Sequence, residues 1–175
     1  YRQVPPRQPG ITVLDAIALA DLVDYIDWTP FFQAWELAGR YPKILDDAVV
    51  GEQARQLLAD AQAMLRRIVD ERWLRARAVV GLFAANAIGD DIELYTDNTR
   101  STVLATLHHL RQQQQKPDGV PNLCLADYVA PRDSGVADWL GAFACTAGIG
   151  IDAHVARFEA AHDDYNAILL KALAD

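Results

Sequence analysis

Apolar residues recur every three or four positions between residues 52 and 73, which is the spacing of one face of an α-helix. Charged residues occupy many of the positions between them. The apolar set comprises Ala54, Leu57, Leu58, Ala61, Leu65, Ile68 and Trp73. The pattern predicts an amphipathic helix of about six turns, with one face against a core and a solvated charged face.

Two segments rich in strand-forming residues predict an antiparallel hairpin. Residues 79–83 read Val-Val-Gly-Leu-Phe, and residues 91–95 alternate between polar and apolar side chains. The residues between them, 84–90, include Asn86 and Gly89, which favour turns. We therefore expect the two strands to be joined by a loop longer than a tight turn.

Three further elements are predicted downstream of the hairpin. Residues 102–107 favour a strand that passes into a short helix near residues 110–113. Residues 122–129 favour a short helix or turn, which Pro131 ends. Residues 138–146 are nearly all apolar, which is typical of a central strand covered on both faces.

Both ends of the chain indicate a fragment of a longer protein. Residues 1–24 are predicted to be a linker or N-terminal extension, because residues 1–10 carry three prolines and a glycine and residues 12–24 fit only a short helix or turn. The chain has no initiator methionine. A last helix, which Asp152 can cap, reaches Asp175 without any sign of a C-cap.

The 175-residue chain is acidic, with 16 basic and 24 acidic residues and a net charge of −8. Nucleic acids and anionic membrane surfaces attract clustered positive charge, so we predict neither as a partner. No run of ~18 apolar residues predicts a membrane span, and the polar, proline-rich start is not typical of a signal peptide. Length and composition together favour one soluble, cytoplasmic domain.

The two cysteines, Cys124 and Cys145, lie far apart in sequence and lack a C-x-x-C spacing. This usage predicts two small buried thiols in a reducing compartment, and a disulfide between them is the alternative.

Three short motifs contain residue types that often bind metals or act in catalysis. Gly89-Asp90-Asp91 could suit a hard cation but fits a hairpin turn better, and the neighbours His108-His109 would point to different faces of either a strand or a helix. The segment 162–165, His-Asp-Asp-Tyr, falls at the edge of a predicted helix face. The sequence shows no nucleophile-elbow serine, paired-carboxylate site or zinc-ligand spacing. We predict no catalytic residue and no metal site, and these patterns alone indicate only a soluble α/β domain.

Five aromatic rings fall within the eleven residues from Tyr25 to Trp35, and they surround a single acid, Asp27. A buried carboxylate among rings is costly without a partner. Asp27 or Thr29 can cap a helix that begins at Pro30 and buries Phe31, Phe32 and Trp35. The alternative is that Asp27 contacts a ligand.

Several runs in this order resemble the activation domain of cobalamin-dependent methionine synthase. They are YIDWTPFF at 25–32, WELAGRYP at 35–42, GLFAAN at 81–86, GDDIE at 89–93, LRQQ at 110–113, LADYVAP at 125–131, DWLGAFA at 138–144 and HDDYN at 162–166. One departure is Ala84, where the family usually has proline. The resemblance covers residues 25–175 and implies the N-terminal portion of the domain, truncated at its C-terminal side.

The resemblance implies a mixed α+β fold, a twisted, largely antiparallel sheet with packed amphipathic helices. It implies that the domain binds S-adenosylmethionine, through Asp27 among other residues, and supports reductive methylation of cob(II)alamin in methionine biosynthesis. The implied partners are the cobalamin-binding domain of the same longer chain, which holds the cobalamin, and flavodoxin or an equivalent reductase. The family belongs to a methyltransferase.

The resemblance is incomplete in its ligand-binding part. The family has a glutamate just past residue 175 and an Arg-x-x-x-Gly-Tyr segment further on, and neither occurs in this chain. We therefore expect the isolated fragment to be inactive and to bind S-adenosylmethionine very weakly or not at all. The alternative function is a non-catalytic homologue that acts as an interdomain or corrinoid-protein interaction module.

Overall fold

The computed structural model describes residues 3–174. The helices are α1 (Leu19–Leu22), α2 (Trp28–Ala34), α3 (Gly51–Asp70), α4 (Ile151–Ala160) and α5 (Asp164–Ala174). The strands are β1 (Gly10–Ile17), β2 (Arg75–Ile88), β3 (Asp91–Tyr95), β4 (Val103–Leu107) and β5 (Asp138–Ile149). β2 pairs with β1, β3 and β5, and β3 pairs with β4. These helices and antiparallel strands confirm the predicted α+β class.

The chain divides into two compact units. One consists of the residues up to Val13 together with Val79–Ala144, and the other of Leu14–Ala78 together with the residues from Cys145 onward. We call them the sheet unit and the helical unit. The described residues of each unit form a separate hydrophobic core.

The core of the helical unit is built on α3. The predicted helix is confirmed, although it ends at Asp70, and Trp73 is buried just beyond it. Ala54 and Ala61 on its apolar face have no exposed surface, which lets other elements approach the helix closely. The residues that share this core come from α2, the segment between α2 and α3, α3, the segment after α3, α4 and α5.

The hairpin in the sheet unit has a tighter turn than predicted. β2 continues to Ile88, which pairs with Asp91, so only Gly89 and Asp90 form the turn. Gly89 has a φ of 58°, which suits glycine in a two-residue hairpin turn. The prediction of a loop over residues 84–90 is therefore wrong. The alanines at 84, 85 and 87 and Asn86 are buried strand residues, and the Asn86 amide is hydrogen-bonded to the carbonyl of Ala130.

The strand predicted at residues 102–107 is confirmed as β4, but the helix at 110–113 is wrong. Arg111 lies in a segment without regular secondary structure, where its guanidinium contacts the carboxylates of Asp90 and Asp127 at 2.7 Å each. The neighbouring Gln112 N–H donates to the carbonyl of Leu123 at 2.9 Å. These tertiary contacts stabilise a non-helical backbone at residues 110–113, although the local sequence favours a helix.

The predictions for the N-terminal segment need correction. Residues 10–17, part of the predicted linker, form strand β1, and only the following residues form the expected short helix and turn. Ile11, Val13 and Ile17 share one face of this strand, but Asp15 lies on the same face and Leu14 on the other, so the residues alternate too weakly to predict a strand.

The prediction that residues 138–146 form a strand is confirmed, but not that both faces are covered. Most of the middle of β5 is exposed, and the side chain of Phe143 is 79% exposed. Apolar composition predicted the conformation of this segment and not its burial.

The C-terminal helix is two helices. α4 ends at Ala160, His162 adopts a left-handed conformation with a φ of 56°, and α5 starts at Asp164. Asp163 accepts from the N–H of Asn166 at 3.1 Å, as a helix-capping carboxylate does. The residue at the N-cap of α4 is Gly150, so the predicted cap at Asp152 is wrong, and Asp152 lies in the first turn.

Candidate ligand site around Asp27

Asp27 is the N-cap of α2. Its Oδ1 accepts a hydrogen bond from the N–H of Thr29 at 2.9 Å, and its own backbone is extended. The predicted capping role is confirmed for Asp27. The helix begins at Trp28 and not at Pro30, so the proline occupies the third helical position, where its missing N–H still costs no internal hydrogen bond.

The aromatic side chains after Asp27 anchor α2 in the core. Trp28, Phe31 and Phe32 are buried, and their rings meet edge to face with centroids 5.4 and 5.6 Å apart. Burying one phenylalanine contributes about 1.5–3 kcal/mol. Trp35, predicted to be buried with them, is half-buried and lies 5.3 Å from the ring of Tyr165.

The carboxylate of Asp27 is exposed, whereas we expected it to be held among rings such as Trp28 and Phe31. The rings point into the core and leave the acid at the surface. Tyr25, two residues earlier, is also exposed, while Ile26 between them is half-buried. The segment thus presents one aromatic ring and one carboxylate to the outside.

A groove of about 600 Å³ adjoins this segment. Ile26, Trp28 and Tyr41 line it, together with residues of α3. Two acids, Asp24 and Asp70, lie along it. The groove has the size of a small-molecule pocket. Asp24 lines it, whereas Asp27 lies beside it.

The segment 162–165 is occupied by structural contacts. The Tyr165 hydroxyl donates to Asp60 Oδ2 at 2.8 Å. Partial burial and this hydrogen bond raise the pKa of Tyr165 to about 12. A tyrosine held protonated at neutral pH is unsuited to act as a base, and His162 and Asp163 form the junction between α4 and α5.

Two further candidates, His108 and Asp90, are also engaged in ion-pair contacts. His108 Nδ1 lies 2.9 Å from Asp91 Oδ2, and Asp90 contacts Arg111. Within residues 3–174, no group of three or more histidine, cysteine, aspartate or glutamate side chains is arranged to hold a metal ion.

Both cysteines are free thiols. Cys124 is buried, as predicted, and its Sγ lies 3.5 Å from the carbonyl of Asp90. Cys145 is exposed, so the prediction of a buried thiol is wrong there, because β5 lacks a cover over its middle residues.

Two polar networks stabilise the sheet unit, and sequence reasoning missed both. Asn86 donates to the carbonyls of Ala130 and Val136 at 2.9 Å each and accepts from Arg100 at 2.9 Å. In the second network, Arg111 holds Asp127. The hydrogen bonds from Arg111 and from the Cys124 N–H lower the pKa of Asp127 to about 2.

No helix among residues 3–174 has the length and apolar character needed to cross a bilayer.

Comparison with known proteins identifies a protein family and a similar solved structure. The family model described as "Vitamin B12 dependent methionine synthase, activation domain" matches residues 18–175. The solved structure described as "Crystal Structure of the MetH Reactivation Domain bound to AdoHcy" is 52% identical in sequence, with a TM-score of 0.92. The match covers 99% of this chain and 53% of that chain, so this chain spans about half the length of the solved structure.

Proposed function

Because the chain belongs to the activation-domain family of vitamin B12 dependent methionine synthase, we propose that it forms part of an S-adenosylmethionine site that serves reactivation of this methyltransferase. The observation that carries the proposal is the match at 52% identity, over 99% of the chain, to a reactivation domain with S-adenosylhomocysteine bound. S-adenosylhomocysteine is what remains of S-adenosylmethionine once its methyl group has been transferred.

In this proposal the bound S-adenosylmethionine would supply a methyl cation equivalent, and a reductase one electron, for the reductive methylation of cob(II)alamin held on a neighbouring domain. The chain's own contribution is to bind and orient the donor, because positioning two reactants can supply a large share of a rate enhancement. The partners are the cobalamin-binding domain of the same longer chain and flavodoxin or an equivalent reductase, which provides the electron. The compartment is the cytoplasm.

Asp27 is the residue of this chain to which we assign a ligand contact. It corresponds to the acidic contact of the family, and its exposed carboxylate is available to a cationic ligand. S-adenosylmethionine carries an ammonium and a sulfonium group, and hydrogen bonds and ion pairs to charged groups are about twice as strong as neutral ones. Oδ1 accepts the bond from Thr29, which leaves Oδ2 for a ligand.

We further propose that residues 25–175 are the N-terminal portion of the activation domain. The exposed position of Asp27 and the match to about half of the solved structure support this division. The remaining ligand contacts would then come from the other half of the domain, and the 175-residue chain alone would bind S-adenosylmethionine very weakly or not at all.

The test is a calorimetric titration of S-adenosylmethionine into both the 175-residue chain and the full-length natural protein. We expect saturable binding by the full-length protein and none by the short chain. Absence of binding by the full-length protein would refute the proposal and favour an interaction module that has kept the fold. Micromolar binding by the short chain would refute the division of the site between two halves.

A further inference from the structure

We propose that Tyr25 is a second ligand contact, which places its ring against the sulfonium of S-adenosylmethionine beside Asp27 and so distinguishes the methyl donor from its demethylated product. The inference rests on the proposed function, because it concerns the same site.

The exposure of Tyr25 is the first observation. Its side chain is 85% exposed, whereas Trp28, Phe31 and Phe32 in the same stretch are at most 9% exposed. A tyrosine ring left in water forgoes the burial that stabilises its neighbours. The stretch therefore separates into rings that build the core and one ring that does not.

The backbone around Tyr25 is held in place, so the exposed ring starts from a defined position. Tyr25 ends a turn of 3₁₀-helix over Val23–Tyr25, and the N–H of Ile26 donates to the carbonyl of Val23 at 3.4 Å. Two residues later the bond from Thr29 to Asp27 fixes the start of α2.

Ile26 links the two exposed side chains through an extended backbone, with φ −66° and ψ 122°. At about 3.3 Å per extended residue, the Cα atoms of Tyr25 and Asp27 are about 6–7 Å apart. A cation interacts favourably within ~6 Å of a ring centroid. One ligand of ordinary size can therefore contact both side chains.

The chemistry of this pair suits a cation that carries apolar substituents. A carboxylate supplies charge, and the negative face of an aromatic ring attracts a cation without requiring a hydrogen bond. A sulfonium has no N–H or O–H to donate, so a ring face is the more suitable partner. S-adenosylhomocysteine has a neutral sulfur at that position, so the cation–π interaction with the ring does not contribute to its binding.

The experiment compares the affinity of the full-length protein for S-adenosylmethionine and S-adenosylhomocysteine in three variants. Tyr25→Ala removes the ring, Tyr25→Phe keeps a ring, and Tyr128→Ala removes an exposed tyrosine (73% exposed) from the sheet unit as a matched control. Thermal unfolding of each variant shows whether it remains folded.

We expect Tyr25→Ala to weaken S-adenosylmethionine binding by roughly 3- to 30-fold, the range of one cation–π contact, with less than a twofold change for S-adenosylhomocysteine. Tyr25→Phe should retain the wild-type preference for S-adenosylmethionine over S-adenosylhomocysteine. Tyr128→Ala should leave both affinities unchanged. Equal losses for the two ligands, or no loss for either, would overturn the inference while leaving the proposed function intact. Failure of the wild-type protein to bind S-adenosylmethionine would overturn both.

Discussion

The N–H of Thr29 donates to Oδ1 of Asp27 at 2.9 Å, so the residue proposed to contact the ligand also caps a helix. The two roles can be separated, because asparagine caps a helix about as well as aspartate but carries no charge. Asp27→Ala should lower the free energy of unfolding by about 1 kcal/mol, whereas Asp27→Asn should change it by only a few tenths. Urea unfolding measures these changes, and Asp24→Ala, at an exposed position, is the control. Equal stability of Asp27→Ala and the wild type would contradict the capping role.

Asn86 is the buried polar residue on which the hairpin depends. Its side chain is 3% exposed and makes three hydrogen bonds, two of them to the carbonyls of Ala130 and Val136. Asn86→Ala removes three hydrogen bonds made by a buried side chain, so it should lower the free energy of unfolding by about 2–3 kcal/mol. Asn98→Ala, at an exposed position, is the matched control. Equal denaturant midpoints for the two variants would show that the network contributes nothing.

Asp127 should make stability depend on acid pH. Its pKa lies at about 2, below the ordinary value of 3.8, because Arg111 and the Cys124 N–H donate to the ionised form. A carboxyl group whose pKa is lower in the folded state stabilises the protein above its unfolded pKa, and this contribution is lost as pH falls from about 4 to about 2. Denaturant midpoints across this range should fall less steeply for Asp127→Asn than for wild type. Parallel curves would exclude this contribution.

The two cysteines should react at very different rates. Cys145 is exposed and Cys124 is buried, and only an accessible thiolate reacts readily. A thiol reagent should modify one cysteine per native chain quickly and the second only after denaturation. Cys145→Ser should abolish the fast phase, and Cys124→Ser should leave it. Two equally fast phases in the native protein would contradict the burial of Cys124.

Local patterns were sufficient to predict α3, β3, β4 and the cap at Asp27. Each depends on residue spacing or on a partner two positions away. The end of β2 was not predictable in this way, because the partners that satisfy Asn86 lie 44 and 50 residues further along the chain. Without them, an asparagine among alanines is typical of a loop.

The misjudged elements had local signals that tertiary structure overrode. The apolar stretch of β5 predicted a covered strand, yet Phe143 is exposed. The continuous apolar pattern near the C-terminus hid a break, because His162 adopts the left-handed conformation usually taken by glycine. At the site, the sequence predicted Asp27 as a cap or a ligand contact, but the exposure of Asp27 and Tyr25 follows from how α2 packs, which spacing does not reveal.

The most direct test of the central claim compares two acids in the full-length protein. S-adenosylmethionine is titrated into the wild type, Asp27→Asn and Asp21→Asn, since Asp21 is exposed, does not line the neighbouring groove and provides a matched loss of one negative charge. We predict that Asp27→Asn weakens binding by ~10-fold or more, as expected for the loss of a charge-assisted contact, and that Asp21→Asn changes it less than twofold. An unchanged dissociation constant for Asp27→Asn would contradict the claim and leave Asp27 as a helix cap alone.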